Sequence, residues 1–207
     1  MTDADRAVER ALRELVERER PGDAFLGEEE GAASGAVRWV VDPIDGTRNF
    51  SRGVPVWATL VALEREGVLA AAVVSAPALG RRWYASRGGG SWVGDEQLHV
   101  SAVERLADAS VSISLARDRT ALEPHVWHAR GFGEFWQHML VAEGSLDAAV
   151  DSELELWDYA AVQLVVEEAG GRVTALDGGP PRAGEQVVTS NGRLHDAVLR
   201  KLVAQSH

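Results

Sequence analysis

A layered α/β domain of the α+β kind is the fold class this chain predicts, and three observations carry it. Apolar runs of strand length come in groups from residue 37 onward, where a βαβ protein would alternate them one for one with helices. Segments with helical spacing open the chain, follow residue 133 and close it. No repeat and no linker rich in Gly, Pro or Ser divides the 207 residues, so a single domain is expected over 1–207, with an N-terminal half over 1–115 and a C-terminal half over 116–207.

In chain order, Val8, Leu12, Leu15 and Val16 share one helical face among many charges, which predicts a helix over 3–19 with Thr2 or Asp3 as its cap and Pro21-Gly22-Asp23 as its stop. GEEEGAASG then reads as an acidic loop. Residues 37–41 (VRWVV) read as a strand, and VWATLVALEREGVLAAAVVSAP as two strands turning near Glu66-Gly67. RRWYASRGGGSWVGDEQLHVS holds further strand pieces around glycine turns, and ASVSISLA another strand. EFWQHMLVAEG fits a helix and LDAAVD a short strand. LWDYAAVQLVVEEAGG is a helix stopped by Gly170-Gly171. RVTAL and QVVTSN are strands, and GRLHDAVLRKLVAQ is a closing helix.

Composition narrows the function. A formal net charge of −11 repels phosphate backbones, which argues against nucleic acid as a partner, whereas a small phosphate can still bind if a metal stands between it and the acids. With no cysteine there are neither disulfides nor thiolate metal sites. No apolar run reaches membrane-spanning length, and the charged N-terminus lacks a signal-peptide core, so a soluble cytoplasmic protein without a membrane partner is expected.

The chemistry gathers at DPIDGT, residues 42–47. Pro43 has no N–H, so the strand is expected to stop at Asp42-Pro43 and turn, exposing side chains and carbonyls at its end. Gly46 allows close backbone approach, and Thr47 adds a hydroxyl. Two acids and a free carbonyl form a hard oxygen set suited to Mg²⁺ over zinc. A capped turn with solvated acids explains the hexapeptide equally well. Taken singly, Glu28, Glu29 and Glu30 read as a solvated acidic face and Asp158 as a helix cap.

Taken together, GEE, DPIDGT and LWDYAA with its downstream EAGG resemble, in order, the signature segments of the inositol monophosphatase family, over nearly the whole chain. The resemblance implies an α-β-α-β-α layered sandwich, here lacking the first helix, and a Mg²⁺-dependent phosphomonoesterase with two or three ions per site. It implies that Glu28 is a metal ligand and orients the attacking water, and that Glu29 supports it. Asp42 would bridge two metals, the Ile44 carbonyl would serve the first, and Asp45 and Asp158 the second. The Thr47 hydroxyl would position the water with Glu28, with Asp45 also in the catalytic set, and the Gly46 and Thr47 amides would hold the phosphate. The family resemblance also implies a homodimer.

For the small phosphorylated substrate, GVPVWATL, VVSAPALGRRWY and RGFGEFW resemble the actinobacterial histidinol-phosphatase branch, which implies histidinol phosphate and histidine synthesis. Inositol 1-phosphate or a broad range of sugar phosphates is the alternative, and an inactive binding protein a second one. Acids suit a cationic alcohol: Glu134 and Asp151 fall in segments that contact it in this family, with Glu153 a near alternative to Asp151. Trp57, Trp83 and Trp136 read as core packing, and the six histidines as surface or packing residues. The family ordinarily carries a helix and loop before the segment matching TDADRAVE, and Met1 stands where its motif has valine, so a misassigned start site is expected, with an apolar patch left open and Asp5 as a remnant of the loop.

Overall fold

The computed structural model describes residues 2–29, 31–32 and 35–204; Met1, Glu30 and Gln205 lie outside them. The chain runs α1 (Asp3–Glu19), β1 (Ala24–Gly27), β2 (Gly31–Ala32), β3 (Val37–Asp45), α2 (Thr47–Ser51), β4 (Ala58–Arg65), β5 (Val68–Ala76), β6 (Arg81–Ser86), β7 (Gly90–Val93) and β8 (Glu96–Gln97). It continues with β9 (Ser110–Ile113), α3 (Ala116–Leu122), β10 (His128–Arg130), α4 (Glu134–Ala142), β11 (Ala148–Leu154), α5 (Leu156–Glu168), β12 (Arg172–Ala175), β13 (Glu185–Ser190) and α6 (His195–Val203).

Two sheets form. One has eight strands in the order β2-β1-β3-β4-β5-β6-β7-β8, and the other five in the order β10-β9-β11-β13-β12. The first is antiparallel except where β1 runs parallel to β3. Helices α4 and α5 lie between the sheets: α5 packs on β3–β6, and α4 on α5 and β11. Helix α1 covers the far side of β1 and β3, and α3 and α6 cover the far side of the second sheet. The result is the expected α-β-α-β-α sandwich, stacked because each helix stripe and sheet face must bury its apolar side. The largest apolar cluster fills the central layer, with Leu60, Val74, Trp83, Phe135, Leu164 and Val187 all at or below 1% exposure. An apolar groove of ≈ 220 Å³ runs beside α1, lined by Leu12, Leu15, Val16, Phe25, Trp39, Val41 and Val61.

Two expectations need correction. The strand expected over 37–41 does not stop at Asp42-Pro43: β3 continues to Asp45. Its pairing with β4 shifts register between Asp42↔Leu60 and Asp45↔Ala58, and Pro43 sits in that irregularity, where no ladder N–H is required. The Thr59 hydroxyl donates to the Pro43 carbonyl and closes the gap. The loop expected over GEEEGAASG contains β2, and β1 just before it pairs parallel with β3. Thr2, and not Asp3, caps α1: its hydroxyl accepts from the Ala4 N–H while its own N–H donates to Asp5.

Candidate metal and phosphate site

The register shift in β3 does the local work of the site. Pairing with β1 ends at Gly27↔Val41, so among the described residues the next ones have no strand partner on that side, and Asp42 and Asp45 emerge at a sheet end. Gly46 follows at φ 81, and a Cβ there would meet the Val56 carbonyl at 2.8 Å, so the turn into α2 requires glycine. Asp158 arrives from the third position of α5, where it accepts the Glu155 N–H at 2.7 Å. It is therefore the third-position partner in the capping box of α5, whose N-cap is Glu155, and it lines the cavity as well.

One oxygen from each of Asp42, Asp45 and Asp158 lies within 4.8 Å of the others. They share a cavity of ≈ 310 Å³ with Glu28, Ile44, Gly46, Thr47, Arg48 and Glu134. Asp42 is 2% exposed, and its Oδ1 is buried with no hydrogen-bond partner among the described residues. An unpartnered buried carboxylate oxygen is costly unless a cation meets it. Asp45 gives one oxygen to the Phe135 N–H at 2.6 Å, at the start of α4, and keeps the other. Burial, then Asp45, Glu28 and Asp158, push Asp42 well above the usual carboxylate range. Burial, then Glu134, push Asp45 up, against the Phe135 hydrogen bond. Glu28 is an exposed residue whose carboxyl lines the cavity; desolvation there, then Asp158, Glu29 and Asp5, push it up to about 7. Asp158 rises to about 6, chiefly through burial. Acids that raise one another in this way form a site built for positive charge, and an all-oxygen donor set fits Mg²⁺.

Helix α1 braces the residues around this cavity at two points that the sequence did not disclose. Asp5, expected only as a remnant of a loop, is fully buried and accepts the Thr47 hydroxyl at 3.0 Å. Burial pushes Asp5 up, but hydrogen bonds from Thr2 and Thr47 outweigh it and hold the carboxyl below its usual value. Glu9, also buried, accepts the Glu29 N–H at 2.8 Å and fixes the turn that carries Glu28. Gly27 makes room for it, since a Cβ there would fall 2.2 Å from the Glu9 carboxylate. That glycine was the one sequence signal for the contact.

Glu134 is a common wall to a second cavity of ≈ 310 Å³, lined also by Ser114, Gly131, Phe132, Gly133 and Asp151. Glu134 holds φ 52, a left-handed conformation uncommon for glutamate. Burial, then Asp151, raise its pKa, and Arg48 lowers it. Glu153 lines neither cavity. Trp83 is buried in the core, Trp57 meets Phe50 edge-on, and Trp136 meets Phe132 edge-on. Among the described residues no histidine lines the first cavity; His138 and His195 are buried packing residues, held at about 4 by desolvation.

A family model described as the inositol monophosphatase family matches residues 1–207. The chain is 48% identical to a histidinol-phosphatase of Mycobacterium tuberculosis, over 99% of this chain and 85% of that protein. It is 47% identical to a histidinol-phosphatase of Streptomyces coelicolor, over 96% of this chain and 82% of that one. Among solved structures, the extragenic suppressor protein suhB of Bartonella henselae superimposes with a TM-score of 0.91 at 32% identity, over 97% of this chain and 87% of that one.

Proposed function

This chain belongs to the inositol monophosphatase family, and we propose that it is a Mg²⁺-dependent phosphomonoesterase acting on histidinol phosphate in histidine synthesis. The observation that carries the reading is the unpartnered, buried Asp42 oxygen beside Asp45 and Asp158. Glu28, Asp42, Asp45, Asp158 and the Ile44 carbonyl would hold two or three Mg²⁺ ions. When bound, these neutralise the phosphate and lower the barrier to in-line attack by water. The rest falls to the chain itself. Glu28 and Thr47 orient the attacking water. The Thr47 hydroxyl has two acceptors within reach, Asp5 Oδ1 and the Ile44 carbonyl, each at 3.0 Å, so its proton is engaged and its lone pairs can take a hydrogen bond from water. The Gly46 and Thr47 amides face the phosphate. Water oxygen bonds to phosphorus and gives a proton to the Glu28 carboxylate. The ester P–O bond breaks, and the departing oxygen takes up a proton from solvent and leaves toward the second cavity as the alcohol.

The substrate follows from that second cavity, whose acidic members, Glu134 and Asp151, both have raised pKa values. A leaving alcohol that carries an ammonium and an imidazole relieves their repulsion, whereas a neutral polyol only hydrogen-bonds to them. The names of the actinobacterial relatives agree. We further expect a cytoplasmic homodimer, which light scattering of purified protein tests. Phosphate release from histidinol phosphate and from inositol 1-phosphate, with Mg²⁺ and with a chelator, tests the activity. Mg²⁺-dependent release favouring histidinol phosphate is expected. Preference for inositol 1-phosphate overturns the substrate, and release without a divalent ion overturns the mechanism.

A further inference from the structure

Behind the second cavity lies a buried amide with no part in the proposed hydrolysis. Gln137 is fully buried in α4. Its Nε2 donates to Asp151 Oδ2 and, at 3.4 Å, reaches Ser114 Oγ. Its Oε1 accepts the Ser112 hydroxyl at 2.7 Å, and that hydroxyl accepts the Phe132 N–H at 3.0 Å. The bonds therefore run in one direction. Phe132 N–H donates to Ser112, Ser112 donates to Gln137, and Gln137 donates to Asp151. An ionised carboxylate only accepts, so the amide turns its NH₂ toward Asp151, and Ser112, already an acceptor for the Phe132 N–H, gives its single proton to the amide oxygen. A chain of donors ending on a carboxylate favours the ionised form, and each bond polarises the next.

From this geometry we infer that Gln137 is a positioning residue for substrate selectivity. It holds two walls of the alcohol cavity in register, the Asp151 carboxylate and the Gly131–Gly133 loop, and keeps Asp151 an acceptor. Asp151 Oδ1 takes the Ser152 N–H at 2.9 Å and Oδ2 takes Gln137, which leaves lone pairs on both oxygens for a cationic alcohol. The inference rests on the reading that this cavity receives the leaving alcohol.

A double-mutant cycle tests it, using Gln137→Met, Asp151→Asn and the pair, assayed on histidinol phosphate and on glycerol 2-phosphate. Gln137→Met is expected to lower the preference for histidinol phosphate over glycerol 2-phosphate about tenfold, with the loss in KM and not in kcat. The double variant is expected to match Asp151→Asn, because Gln137 acts through Asp151. Equal losses on both esters, or a double variant tenfold worse than Asp151→Asn, would overturn the inference. If Gln137→Met does not fold, Ser112→Ala breaks the next link and is expected to give the same selective loss at smaller size, about threefold; an unselective loss there also overturns it. A wild-type enzyme that prefers inositol 1-phosphate would sink only the substrate reading, and the same cycle measured on that ester would still decide the coupling.

Discussion

At the scale of single residues the site is a set of acids with unequal duties. Asp42 has an oxygen with no partner among the described residues, which leaves it open to a cation. Asn in its place keeps the size and loses the charge. Asp42→Asn is expected to lower kcat about a thousandfold and to abolish Mg²⁺ binding in a titration calorimeter; retained binding would remove Asp42 from the metal set. Asp5 and Thr47 form a pair that spans 42 residues of sequence. Either Asp5→Asn or Thr47→Ala is expected to reduce kcat about a hundredfold, and the double variant by little more than either alone. Additive losses would show that the hydrogen bond between them has no part in catalysis.

At the scale of elements, the decisive piece is the irregular end of β3 with the turn behind it. Ala at position 46 would need both a left-handed backbone and the space held by the Val56 carbonyl. Gly46→Ala is therefore expected to cost roughly 1–3 kcal/mol of stability in denaturant melts and to remove activity; a fully active, equally stable variant would contradict the geometry. Legibility in the sequence divides along the same line. Helices α1 and α5 and the β4–β5 hairpin are plain in apolar spacing and glycine stops. Strand β1 is not, because four residues buried on both faces show no alternation. The continuation of β3 was hidden by Pro43, which ordinarily ends a ladder but here occupies a register shift. Helix α2 has five residues, too few for a period. Asp42, Asp45 and Asp158 were legible through their motifs, and the structure brings them together. The contacts of Asp5, Glu9 and Gln137 join distant segments, so no local pattern encodes them.

At the scale of the whole molecule, the site sets how stability depends on pH. Without metal, the folded chain holds protons on Glu28 up to about 7 and on Asp158 up to about 6, while the unfolded chain releases them near ordinary carboxylate values. The folded state thus binds more protons across that window, and the metal-free protein loses stability as pH rises through it. Metal binding requires the ionised acids, so its stabilisation grows over the same range. His138 and His195, depressed to about 4, act in the opposite sense, since their contribution is complete above about 6.5 and is lost as pH falls. They weigh equally on both forms and cancel in the difference. The rise in melting temperature on adding Mg²⁺ is expected to be largest above pH 7 and to shrink toward pH 5, as scanning calorimetry at several pH values can measure. A rise independent of pH would separate metal binding from these carboxyls.

The left-handed glutamate at position 134 has a consequence for anyone who tries to make this protein more robust. Glycine is at ease in that conformation, and Glu134→Gly would relieve about 1 kcal/mol of backbone strain along with the repulsion from Asp151. The variant is expected to melt about 2–4 °C higher and to bind the cationic alcohol less well. A library screened for heat resistance alone would therefore find this position early and drift toward a sturdier, less discriminating enzyme. Only a screen that also demands turnover at low substrate concentration would keep the glutamate.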